Sequence, residues 1–85
     1  NPRYPIAAAR ISLAVGDKQS ARQLAETAVR IAPRHAPAHE AHGTALAAEG
    51  LAREARKALE RALELDPGLE SARARLKRLR WSFLG

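Results

Sequence analysis

The sequence predicts an all-α chain of five helices, built from antiparallel helix hairpins that repeat. Three observations lead there. First, residues 36–67, APAHEAHGTALAAEGLAREARKALERALELDP, hold two helical patterns with one break at Glu49-Gly50. Ala38, Ala41, His42, Ala45 and Leu46 recur at three- and four-residue steps, the spacing of one helix face, and Ala55, Leu59, Ala62 and Leu63 repeat it. Second, the pattern has a copy 34 residues upstream, because Pro33 pairs with Pro67, Gly16 with Gly50, Ala21 with Ala55, Ala28 with Ala62, Val29 with Leu63, Ile31 with Leu65, and Ala9 with Gly43. Third, Ala is abundant and aromatics make up 4% of the chain, which favours helix and a thin, close-packed core over a deep one with a cavity. A single hairpin cannot bury its own apolar face, so the copies must stack.

The elements follow in order. Residues 1–4 lead in, and Pro5 suits the first helical position, where its missing N–H costs nothing. The first helix is expected over 5–15, with Gly16 as its stop. Asp17 can cap the second, over 18–32. A linker at 33–37 precedes the third helix, 37–49, which Gly50 ends by taking a left-handed turn. The fourth spans 51–65 and stops because Pro67 biases Asp66 away from helical angles. The fifth spans 69–84. Ala72, Leu76, Leu79 and Phe83 form its apolar face, and Arg73, Lys77 and Arg80 give it a polar flank.

A 34-residue helix-turn-helix period resembles the tetratricopeptide repeat, and the resemblance covers nearly the whole chain. Gly43 stands where that family places a small residue so that the two helices of a repeat can approach. Ala55 and Ala62 match its small packing positions, Leu59 the large one between them, and Ala62-Leu63-Glu64-Leu65-Asp66-Pro67 its usual close. The first copy is looser: Ser12 and Ala25 replace larger residues, and Pro5 and His39 stand where the family prefers Trp. The resemblance implies one domain over 1–85, folded as a short right-handed superhelix, an α-solenoid. Repeat one would cover about 2–35, repeat two about 36–69, and a capping helix about 69–84. A third repeat would put Lys77 at the tight-packing position, which marks the last helix as the solvating cap. With no Met and an Asn-Pro opening, the chain reads as part of a longer protein.

Sequence motifs point away from catalysis. The chain has no Cys, no Gly-x-Ser-x-Gly, no phosphate loop and no Gly-rich dinucleotide motif. No apolar run approaches the ~20 residues needed to span a bilayer. His39 and His42 are three apart but fall at packing positions, with His35 in the linker, and no His-Glu-x-x-His pattern exists. No cofactor or metal is therefore expected. Helical spacing suggests ion pairs Glu26–Arg30, Glu49–Arg53 and Glu54–Lys57, while Glu60 and Glu64 form a like-charge pair.

What remains is binding. In the resembled family the first helices of successive repeats line a concave surface that holds an extended peptide or a partner helix. Carried over by position, that surface takes Arg3, Ile6, Arg10 and Leu13 from the first helix, Glu40, Thr44 and Ala47 from the third, and Ala74, Arg78 and Trp81 from the fifth. Ala74, Arg78 and Trp81 also cluster by helical angle, away from the apolar face. The net charge of +6 has two readings, an Arg-rich composition that solvates the surface or an acidic or acidic-apolar partner for the groove. Ile6, Arg10, Ala41, Ser71 and Arg75 occupy the places of the family's carboxylate-gripping set, and only Arg75 matches it outright, which speaks against chaperone-tail binding of that type. The reading is thus a non-catalytic protein-interaction module of scaffold or adaptor type. Its rival is nucleic-acid binding through Arg73, Arg75, Lys77, Arg78, Arg80 and Trp81. The N-terminal face, with Ile6, Ala7, Ile11, Leu24 and Val29, is expected to promote self-association.

Overall fold

A computed structural model describes the backbone of residues 1–84 and the side chains of residues 1–80. Its helices are α1 (Arg3–Ala14), α2 (Lys18–Ile31), α3 (Ala36–Ala48), α4 (Ala52–Leu65) and α5 (Glu70–Leu84), with no strand among the described residues. Helix α1 begins two residues earlier than Pro5 suggested, with Pro2 as its N-cap. Pro5 still falls in the first turn, where a missing N–H removes no helix bond.

Both hairpin turns use one device. Val15 caps α1 and Gly16 follows at φ 84°. The Gly16 and Asp17 N–H groups then donate back to Leu13 O (3.1 Å) and Ser12 O (2.8 Å). Gly50, at φ 82°, does the same after α3, with Gly50 N–H to Ala47 O and Leu51 N–H to Leu46 O, both 3.0 Å. These paired bonds satisfy the orphan carbonyls of a helix end and reverse the chain. Asp17 then starts α2 by accepting from Ser20 N–H at 3.1 Å. Hydrogen bonding to Ser20, side chain and main chain, holds the Asp17 carboxyl below its ordinary value.

The helices form two layers, α1, α3 and α5 in one, α2 and α4 in the other, in a body of 36 × 28 × 17 Å. Helix α3 is the hub and touches each of the other four. That explains its composition: Ala36, Ala38, Ala41, Gly43, Ala45 and Leu46 are all buried, because small residues let neighbours approach from several sides. One apolar cluster, Ile6, Ala9, Ala25, Ala28, Ala38 and Ala41, joins α1 and α2 to α3. A second, Leu59, Ala62, Ala72 and Leu76, seals α4 under α5, with Leu63, Leu69 and Leu79 half-buried around it. Helix α5 thus covers the second hairpin through Ala72, Leu76 and Leu79. Phe83, expected on the same face, lies outside the described side chains.

Two expectations are corrected, the ion pairs and the N-terminal face. The Glu26–Arg30 and Glu49–Arg53 pairs give way to Arg22, whose Nε donates to Glu49 Oε1 at 2.6 Å and whose Nη1 lies 4.0 Å from Glu26; Glu54–Lys57 is not among the ion pairs of the described residues. Arg22 and Glu49 are 27 residues apart and meet only because α2 packs on α3, so helical spacing could not reveal them. Hydrogen bonding to Glu49, then its charge, raises the Arg22 guanidinium further above its ordinary value. On the N-terminal face Ile6 is buried, and Leu24 and Val29 pack against the first cluster. Ile11 and Ala7 are exposed as expected, and the exposed apolar stripe along α1 and its C-cap is Tyr4, Ile11 and Val15, at 77%, 66% and 74% exposure.

Candidate functional site

The surface of the α1–α3–α5 layer carries two adjoining crevices that share Thr44 and Arg75. The first, of about 30 Å³, lies between α1 and α3 and is lined by Ala9, Arg10, Leu13, Glu40, Ala41, Thr44 and Arg75. The second, of about 230 Å³, lies between α3 and α5, with Thr44, Ala47, Leu59, Arg75, Arg78 and Leu79. Together they form a groove crossing the three first-type helices. Three guanidinium groups, Arg10, Arg75 and Arg78, stand against one carboxylate, Glu40, so the groove is net positive by two (3 − 1 = 2). Leu13 and Leu79, both half-buried, and Ala47 add apolar surface.

The residues expected on this surface divide. Arg10, Leu13, Glu40, Thr44, Ala47 and Arg78 come together in the groove. Arg3 is exposed at the start of α1, and Ala74 is exposed on α5; neither lines it. Ile6 does not face it at all: it is 6% exposed inside the α1–α2–α3 cluster. The reason is rotational. The α1 face that meets α2 and α3 runs through Ile6 and Ala9, which turns Arg10 and Leu13 outward. The Trp81 side chain lies outside the described residues.

Glu40 lines the crevice, yet it is 6% exposed, the only buried polar residue in the described core. Its Oε2 has no hydrogen bond, and Arg75 Nε stands 3.4 Å away, at ion-pair distance without hydrogen-bond alignment. The Arg75 side chain is 45% exposed, so it covers the carboxylate as a flexible arm from the outside. Thr44 is fixed beside it by donating from Oγ1 to Glu40 O at 2.8 Å. Arg75 and Leu79 were not placed on this surface from the sequence, Leu79 because it also serves the cap's apolar face. Arg75 had one signal, its match to the family's carboxylate-gripping set.

The other basic residues of α5 are directed elsewhere. Arg73 donates to Glu70 Oε1 at 2.8 Å and also bonds Pro67 O, bracing the turn before α5. Lys77 and Arg80 are exposed and line neither crevice.

A third hollow, of about 470 Å³, lies behind the groove among α2, α3 and α4, with Arg22, Glu26, His39, His42, Glu54 and Lys57 on its walls. It is larger, but its charges are mixed and partly paired: Arg22 is tied to Glu49, and Glu26 lies 3.9 Å from His42 Nε2. His39 Nε2 is 2.7 Å from Pro33 O. Burial pushes His42 below its ordinary value, opposed by the charge of Glu26 and assisted by His39 and Arg22. No group of three or more metal-ligating side chains occurs among the described residues, and no described helix is long and apolar enough to cross a membrane.

No protein-family model matches the chain, and no curated protein does. Solved structures do. The first tetratricopeptide-repeat domain of Spaghetti (RPAP3), bound to the HSP90 peptide SRMEEVD, superposes with a TM-score of 0.89 at 26% identity, over 100% of this chain and 68% of that one. The solution structure of the first such domain of human RPAP3 gives a TM-score of 0.92 at 26% identity, over 99% of this chain and 66% of that one. Both matches run through all five helices and both hairpin turns, so the repeat seen in the glycine, alanine and proline spacing is the repeat seen in space. The chain thus has the fold of a tetratricopeptide-repeat domain and is similar to these domains over its whole length.

Proposed function

We propose that this domain is a non-catalytic protein-interaction module that binds an acidic peptide along the groove of α1, α3 and α5. The observation that carries the reading is the groove itself: Arg10, Arg75 and Arg78 set around Leu13, Thr44, Ala47 and Leu79 on one continuous surface. Guanidinium groups recognise carboxylates in planar, bidentate fashion, and the apolar patches between them suit the side chains that alternate with acidic ones in an extended segment. The similar domain of Spaghetti bound to SRMEEVD, a peptide with three acidic side chains, supports the same chemistry here. The manner of gripping differs, since of the family's carboxylate-gripping set this chain keeps only Arg75.

Among the described residues, the basic side chains are not arranged for nucleic acid. The basic residues of α5 do not form one stripe: Arg75 and Arg78 line the groove, while Arg73 braces the helix start. The domain boundaries, with hairpins near 2–35 and 36–69 and a cap near 69–84, fit this role, because the cap supplies two of the three groove arginines.

The test is fluorescence anisotropy with labelled SRMEEVD and with a labelled single-stranded oligonucleotide, on the wild type and two sets of charge reversals. Arg10→Glu and Arg78→Glu weaken the peptide; Arg73→Glu and Lys77→Glu leave it within about threefold. Equal loss from both sets, or tighter binding of the oligonucleotide, overturns the reading.

A further inference from the structure

We propose that Glu40 sets the sequence preference of the groove, by requiring a small neutral hydrogen-bond donor on the peptide, a carboxamide or a hydroxyl, between its acidic residues. The inference rests on the peptide-binding reading above. A carboxylate more than nine-tenths buried, with an oxygen that accepts no hydrogen bond, is costly, and native proteins rarely leave one so. The Arg75 guanidinium stands over it at 3.4 Å, out of hydrogen-bond alignment, on a side chain that is nearly half exposed. A peptide carboxylate draws that guanidinium outward, because a bidentate pair is stronger than the misaligned contact it replaces. Oε2 is then uncovered and the peptide must supply its donor.

Which donor follows from size and charge. The crevice over Glu40 is about 30 Å³, room for one small polar group and not for a long side chain. Arg10 and Arg75 on its walls repel an ammonium or guanidinium. An acidic side chain is repelled by Glu40 itself. A neutral donor avoids both repulsions, and Thr44, held back on Glu40 O, leaves the space open to it.

The probe is a panel of labelled peptides EEAXAEE with X as Asn, Ser, Asp, Lys or Leu, titrated into the wild type and Glu40→Gln at low salt, with thermal midpoints measured in parallel. Gln keeps the shape of Glu40 and removes its charge. In the wild type, Asn or Ser binds about tenfold or more tighter than Asp, Lys or Leu, the range expected for a hydrogen bond to a charged acceptor. In Glu40→Gln the Asn-to-Asp ratio collapses below about threefold or inverts. If Asp or Lys is preferred by the wild type, or the ranking is the same in both proteins, the proposal is wrong. A purely structural Glu40–Arg75 contact gives that last result, with only the thermal midpoint changed. If no peptide of the panel binds, the groove reading itself fails and this inference with it.

Discussion

Gly43 and Leu59 are in contact through the space where any other residue would carry a side chain. A β-carbon on Gly43 would lie 2.8 Å from Leu59 Cγ and 3.2 Å from the Ala55 carbonyl oxygen. Leu59 is the largest fully buried side chain, and the carbonyl belongs to the α4 backbone, so neither can yield cheaply. Gly43→Leu therefore costs about 1–3 kcal/mol or more by overpacking, read as a lowered denaturation midpoint. An unchanged midpoint contradicts the register assigned to the second hairpin.

The glycines of the turns fail for another reason. Gly50 has nothing within 4 Å of a built β-carbon, but its φ is 82°. Gly50→Ala therefore lowers stability by about 1–2 kcal/mol through backbone strain alone. Gly68→Ala is the control, because Gly68 is not at positive φ and its nearest neighbour is at an ordinary 3.5 Å. Equal effects of the two substitutions contradict the turn geometry.

Stability depends on pH through His42. Burial lowers its pKa in the folded state, so between that lowered value and its ordinary 6.5 the unfolded chain binds more protons than the folded one. Stability from this residue is present above about 6.5 and is lost as pH falls below it. A thermal midpoint that drops from pH 7 toward pH 5, less steeply in His42→Gln, is expected. An identical slope in the variant assigns the effect elsewhere.

Exposed Tyr4, Ile11 and Val15 on α1 predict weak self-association at high concentration, since helix repeats normally cover such a stripe with a neighbour. Sedimentation velocity of the wild type should show a concentration-dependent rise that Ile11→Glu with Val15→Lys abolishes. Only monomer at high concentration in the wild type counts against it.

Much of this molecule is legible in its sequence because its signals are local. Gly16, Gly50 and Asp17 act within a few residues of themselves, and Gly43, Ala55 and Leu59 keep the register of a fixed period. The groove is less legible because it depends on how far each helix is rotated against its neighbours. Arg10 and Ile6 are four residues apart on the same helix, yet Ile6 turns into the core and Arg10 out of it. Glu40 holds a position that the repeat pattern exposes, yet it is buried, with Arg75 of α5 3.4 Å from its carboxylate, a contact the helical spacing does not show. Arg22 and Glu49 meet across two helices, beyond the reach of any helical spacing rule.

The most direct measurement is amide chemical-shift mapping of the labelled domain during titration with SRMEEVD. Saturable shifts should concentrate on α1, α3 and α5 around Arg10, Leu13, Thr44, Arg75 and Arg78. The hollow among α2, α3 and α4, at Glu26, Glu54 and Lys57, should stay silent. Shifts that centre on that hollow, or that spread evenly around α5 to Arg73, Lys77 and Arg80, contradict a groove-binding module.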